Sequence, residues 1–146
     1  MKASKRNVHI KLITEIFHQH NKEVTRVEEV GTFLQKENTS VLQFTEQYED
    51  QEDHVQALIT ISPERVSVKR SGAVDMHQVF KKKQTTENVY RHAYGTIHME
   101  TFTDQITFRD LSQAKEGKLF ISYTTKLNGE DSRRHRLTLS FREEQK

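Results

Sequence analysis

Val8-His9-Ile10-Lys11-Leu12-Ile13-Thr14-Glu15-Ile16 decides the fold. Val8, Ile10, Leu12, Thr14 and Ile16 recur at every second position, with His9, Lys11 and Glu15 between them. A helix with one buried face would place apolar residues at i, i+3, i+4 and i+7, whereas an extended chain turns successive side chains to opposite faces. The period is two, which predicts a strand with one apolar and one polar face. The same period runs outward along the chain. Val27, Gly31 and Phe33 mark a second, less regular strand across 23–35; Leu42, Phe44 and Tyr48 mark a third. Val55, Ala57, Ile59 and Ile61 mark a fourth, ended by Ser62-Pro63-Glu64. The single proline thus falls in a turn, where its missing N–H costs no ladder bond. Val66 and Val68 mark a fifth strand, and Val74, Met76 and Phe80 a sixth. Residues 85–94 and 96–109 read as the seventh and eighth. Leu119, Ile121, Tyr123 and Thr125 form the ninth; Leu137, Leu139 and Phe141 form the tenth. The stretch 110–116 is the one candidate for a helical turn.

About ten short strands with regular turn signals predict an all-β antiparallel sandwich or barrel. At 146 residues the chain is expected to be one domain, 1–146. No cysteine is present, which excludes a disulfide scaffold, thiol catalysis and any Cys-based metal site. The apolar share of 33% and mean hydropathy of −0.85 are low for a folded domain. Disorder, however, tends to come with high net charge and few β-branched or aromatic residues. Here the net charge is +2, and those residues alternate along the whole chain. Met1-Lys2-Ala3-Ser4-Lys5-Arg6 is basic, but Lys11 and Glu15 interrupt the apolar stretch that a signal peptide would need. No run approaches the ~20 apolar residues of a membrane-spanning helix. A soluble, cytoplasmic protein is expected, with no membrane insertion.

Opposed residues of an antiparallel pair share a face. A two-residue loop at Asn128-Gly129 would set Ile121 against Arg136, so a three-residue loop, Leu127-Asn128-Gly129, is predicted, with Leu119 opposite Leu137. By the same parity, a loop at Arg70-Ser71-Gly72 sets Val68 opposite Val74 and Val66 opposite Met76. Both glycines are expected at positive φ. The acidic run Glu46 to Asp53 is expected to end the third strand and form a solvated loop.

Val68-Lys69-Arg70-Ser71-Gly72-Ala73-Val74-Asp75-Met76, followed by Phe80, resembles a signature of the YwiB-like family of uncharacterised bacterial proteins, as does Tyr90…Ala93-Tyr94-Gly95…Thr101. The second motif departs from the family pattern, which has Pro-Phe-Gly where this chain has Ala93-Tyr94-Gly95. The resemblance spans nearly the whole chain and implies a closed, lipocalin-like (calycin-type) antiparallel β-barrel. The Gly-X-Trp mark of true lipocalins is absent, since there is no tryptophan. No activity is implied.

The residues offer little chemistry. His18 and His20 share a strand face, but two ligands do not make a zinc site. His92 and His98 flank the Tyr94-Gly95 turn and read as structural. Ser71, Asp75 and His77 could be assembled into a triad, yet no nucleophile elbow or oxyanion hole accompanies them. Glycines are spread singly, so no phosphate-cradling loop is present. Lys81-Lys82-Lys83 and Arg133-Arg134 with Arg136 could meet a nucleic-acid backbone, though such runs at strand ends more often serve solubility. Nucleic acid is therefore not the expected partner, and no catalysis, metal or cofactor is expected.

The inward face remains. With the apolar sets pointing inward come Thr101, Thr103, Tyr123, Thr125 and His135. A wall mixing aliphatic, aromatic and hydroxyl groups suits one small amphipathic ligand. The expected pocket residues are Phe33, Phe44, Met76, Tyr90, Met99, Tyr123 and His135, with Arg70 as a bidentate carboxylate anchor. An interaction module for protein or RNA on the basic outer surface is the alternative.

Overall fold

The computed structural model of the chain describes residues 4–46, 54–72, 74–92, 94–111 and 115–144. Ten strands run in sequence: β1 (Ser4–His18), β2 (Asn21–Lys36), β3 (Thr39–Glu46), β4 (Val55–Ser62), β5 (Arg65–Gly72), β6 (Asp75–Lys81), β7 (Thr85–His92), β8 (Gly95–Arg109), β9 (Glu116–Leu127) and β10 (Arg133–Glu143). Each strand pairs antiparallel with the next, and β1 pairs β10, so the sheet closes into a barrel. Closure is what lets a 33% apolar composition suffice: one apolar residue in two lines a single enclosed face, and no second face needs covering. Among the described residues no helix is long and apolar enough to cross a membrane.

The rim where β1 begins is called lower, and the rim carrying the β1–β2 turn upper. The lower half is apolar. Phe33 and Phe141 pack with ring centroids 5.0 Å apart, and Phe108 stacks on Phe141 at 6.3 Å. Val8, Leu42, Val66, Leu119 and Leu139 complete that layer and are fully buried. Gln35 Nε2 donates to the Asp110 carboxylate at 2.9 Å across the lower rim.

Two irregularities shape the upper half. The β2–β3 ladder runs from Lys36↔Thr39 only as far as Thr32↔Gln43. At the next position, Gly31, an added Cβ would collide with the Gln43 carbonyl oxygen and stand 2.9 Å from the Phe44 Cβ. Glycine there lets β3 cross closely over β2 and leave it. The second irregularity lies between β6 and β7, whose ladder holds only Asp75↔Arg91 and Met76↔Tyr90. Below it, side chains bridge the seam: Gln78 Nε2 donates to Thr101 Oγ1 at 3.0 Å, and the Thr86 hydroxyl donates to the Val79 carbonyl.

Parity of faces is as predicted, but register is not. Leu119 opposes Leu139, and Ile121 opposes Leu137, two residues away from the expected pairing. Asn128 and Gly129 both have positive φ (51° and 75°), and Glu130 N–H donates to the Leu127 carbonyl at 2.9 Å. That turn is followed by residues outside the β9–β10 ladder, so the connection is longer than three residues. The other loop is displaced further. Arg70, Ser71 and Gly72 belong to β5, Arg70 opposes Met76, and Val68 opposes Gln78. Gly72 has the expected positive φ of 110°. Of the predicted acidic loop, Glu46 is a buried strand residue, 1% exposed; residues 47–53, Tyr48 included, lie outside the described residues. The predicted helical turn at 110–116 includes 112–114, which also lie outside them.

Candidate functional site

The ladders place most of the expected pocket residues on the inner wall of the upper half. Phe44, Ala57, Arg70, Met76, Tyr90 and Ile97 form one row of direct cross-strand neighbours from β3 to β8. Asn88, Met99 and Leu127 form a second, and Thr86, Thr101, Thr125 and Arg133 a third. Thr103, Tyr123 and His135 form a fourth. Phe33 is not among them; it belongs to the lower aromatic layer with Phe141. Period two shows which face a residue shares, but not its height in the barrel.

This wall is polar as well as apolar. Thr101 and Thr103 are fully buried and Thr125 is 3% exposed. Tyr123 lies edge-on to Phe80 at 4.7 Å and flat against the His135 ring at 4.6 Å. Thr125 Oγ1 is 2.8 Å from His135 Nε2. Burial pushes the Tyr123 phenol up to about 12, with the Arg70 charge opposing it. Arg70 on β5 thus acts electrostatically on Tyr123 on β9. Burial pushes His135 down to about 4, and the Arg133 charge adds to that. Both rings are therefore uncharged at neutral pH.

Arg70 has a partner. Its Nε donates to Glu46 Oε1 at 3.2 Å, with the Glu46 side chain 1% exposed. Glu46 reaches this position because β3 leaves β2 at Gly31. Its place was visible in the alternation Leu42, Phe44, Glu46, which keeps all three on one face. Arg133 was likewise readable by phase: it opposes Thr125, so it belongs to the inner row, whereas Arg134 and Arg136 alternate outward. It lines a cleft of about 300 Å³ at the upper rim with His18, Leu127, Glu130 and Asp131. Leu127 joins that cleft to the inner wall.

Three inner-wall side chains hold buried polar atoms with no hydrogen-bond partner among the described residues: Thr103 Oγ1, both amide atoms of Asn88, and His135 Nδ1. Such an atom costs about 1–3 kcal/mol when nothing offsets its lost hydration. Asn88 was missed in sequence because its strand, β7, lacks a clear apolar alternation.

The other candidates disperse. Ser71, Asp75 and His77 are exposed and share no hydrogen bond among the described residues. Lys81-Lys82-Lys83 ends β6 at the lower rim, and Arg133 begins β10 at the upper, so the two basic runs form no common patch. His98 approaches Glu87 at 4.0 Å on the outer face, and Glu100 joins them within 4.8 Å. His18 is half-buried at the end of β1, and His20 is exposed in the β1–β2 turn.

The fold is shared with a solved structure, the crystal structure of the ywiB protein from Bacillus subtilis, with a TM-score of 0.84, 23% identity, and coverage of 97% of this chain and 94% of that one. The uncharacterized beta-barrel protein YwiB of Bacillus subtilis (strain 168) is 28% identical over 134 residues, 92% of this chain and 90% of the relative. The model of a domain of unknown function, DUF1934, matches residues 10–139. With that match spanning most of its length, the chain belongs to the DUF1934 family of β-barrel proteins.

Proposed function

We propose that the upper half of the barrel binds one small amphipathic molecule without catalysis, in the manner of lipocalin-like barrels. The observation that carries this reading is the set of buried, unpartnered polar atoms on Thr103, Asn88 and His135, set in a wall that also holds Phe44, Met76, Tyr90 and Met99. A ligand with hydroxyl or carbonyl groups would satisfy those atoms, while its apolar part would lie on the aromatic and methionine side chains. Arg70 is already charge-paired with Glu46, so Arg133 at the rim cleft is the better anchor for a ligand's acidic end. On this wall the Thr125 hydroxyl meets His135 Nε2 at 2.8 Å, but burial pushes that imidazole down to about 4, which makes it a weak base and favours binding over chemistry.

Native mass spectrometry of protein purified from its own host should show a co-purifying small molecule. Titration with the anionic amphipath 8-anilinonaphthalene-1-sulfonate should saturate at one site, weakened about tenfold by Arg133→Ala or Asn88→Leu. Unsaturable binding indifferent to both substitutions, with no co-purifying mass, would refute the reading.

A further inference from the structure

The departure of β3 at Gly31 leaves the upper part of β2 paired on one side only. From Lys22 to Gly31 its ladder partner is β1, and β3 takes up pairing only from Thr32. Hydrogen-bond phase follows from the two hairpins that flank β2. Both His18↔Asn21 and Lys36↔Thr39 close two-residue turns, and such closing pairs are hydrogen-bonded. Odd-numbered residues of β2 therefore bond to β1. Even-numbered ones present N–H and C=O to the β3 side, as Lys36, Leu34 and Thr32 do. Above Thr32 that side is bare among the described residues. Val30, Glu28, Arg26, Val24 and Lys22 thus carry a row of backbone donors and acceptors that no described strand pairs. Their side chains lie on the outer face, where Val24 and Val30 are each 52% exposed.

We infer that this edge is an interface for a second copy of the chain, joined antiparallel about a two-fold axis at Val27. In that register Val24 of one copy opposes Val30 of the other, and Arg26 opposes Glu28, each pair occurring twice by symmetry. Every outer-face position between 24 and 30 then meets a complementary one: valine on valine, arginine on glutamate. The paired residues are the even-numbered ones, so these N–H and C=O groups meet in hydrogen-bonded pairs. Sliding the copies by one step in phase either way opposes Arg26 to Arg26 or Glu28 to Glu28. Charge thus selects one register and disfavours its neighbours, the logic that keeps exposed edges from pairing at random. Lys11 lies 3.9 Å from Glu28 on the same barrel, an exposed pair that leaves the carboxylate open to a second cation.

The inference is tested on the full chain by sedimentation equilibrium from about 1 to about 300 μM, the range in which small interfaces associate. The unmodified chain should show a monomer–dimer equilibrium. Arg26→Glu alone, or Glu28→Arg alone, sets like charges opposite each other twice per dimer and should weaken association about tenfold or more. The double swap Arg26→Glu/Glu28→Arg should restore it. Restoration separates an interface from a folding defect, since neither single change alters a buried contact. A chain that is monomeric throughout the range, single reversals without effect, or a double swap that fails to restore the dimer would each overturn the inference.

Discussion

The imidazole of His135 lies flat on the phenol ring of Tyr123, with centroids 4.6 Å apart and planes within 6°. The two residues are cross-strand neighbours on β10 and β9, so the ladder itself sets the stack. Because the site is desolvated, His135 holds its proton only below about pH 4 in the folded chain, against 6.5 when exposed. A lowered pKa means that the unfolded chain binds the extra proton first. The corresponding stability is fully present above pH 6.5 and is lost as pH falls towards 4, to a total of about 3 kcal/mol. Urea midpoints measured at pH 7 and pH 4.5 should fall more for the parent chain than for His135→Phe. An identical fall in both would show that this imidazole is not the group being titrated.

The phenol beneath it titrates in the opposite sense. The folded-state pKa of Tyr123 is raised from 10 to about 12, so its contribution is complete below pH 10 and is lost between 10 and 12. Spectrophotometric titration at the tyrosinate band should show one of the four tyrosines ionising late. In Tyr123→Phe that late component should vanish. Persistence of it would place the buried phenol elsewhere.

Arg70 and Glu46 form a pair in which the carboxylate is almost fully buried and the guanidinium is 22% exposed. Removing the guanidinium takes away a cation that offsets the buried carboxylate, which costs more than the pair itself contributes. Arg70→Met should destabilise the chain by about 3 kcal/mol, while Arg70→Met/Glu46→Gln should recover at least about half of that. Denaturant unfolding measures both. A double variant as unstable as the single one would mean that Arg70 acts through its aliphatic packing and not its charge.

Thr103→Val replaces a buried hydroxyl that has no partner among the described residues by a methyl group of nearly the same shape. Loss of a satisfied hydroxyl would cost about 1 kcal/mol, but loss of an unsatisfied one is neutral or stabilising by a similar amount. The unliganded variant should therefore unfold at an equal or higher urea concentration than the parent chain. Its affinity for an amphipathic ligand should drop, since the hydroxyl would then have been used in binding. A clear destabilisation would mean that Thr103 Oγ1 is hydrogen-bonded in solution.

Strand identity was readable wherever one face is fully apolar, as in Val8-Ile10-Leu12, Val55-Ala57-Ile59-Ile61 and Leu137-Leu139-Phe141. Alternation is blind to register beyond its parity. Shifting β10 by two residues against β9 keeps Leu119 on a leucine, and shifting β6 by four keeps Val68 on the same face, so those offsets left no trace in the pattern. The candidate wall was legible in the same limited way. Tyr123, His135 and Met76 were placed on the inner face by phase, yet Phe33 shares their phase and stands in the other half; Arg70 was expected in a loop and is instead a β5 residue opposite Met76. Glu46 was misread because its charge suggested solvent; Arg70, 24 residues later, donates to its buried carboxylate.

Gly31 is the residue on which the upper half turns. It is not held at a positive φ; its requirement is space, because the Gln43 carbonyl and the Phe44 Cβ occupy the place of a side chain. Ile10 Cδ1 also stands in the way and can rotate, but the Gln43 carbonyl oxygen and the Phe44 Cβ cannot move aside as a side-chain tip can. Gly31→Ala must push β3 off β2, and β3 carries Phe44 and Glu46 to the inner wall. The change should cost at least about 2 kcal/mol, more than alanine's better intrinsic propensity returns. It should also loosen the Glu46–Arg70 pair, so adding Arg70→Met to Gly31→Ala should cost less than Arg70→Met does in the parent chain. A double-mutant cycle by urea unfolding measures that coupling. Strict additivity would show that β3 reaches Arg70 without the close crossing at Gly31.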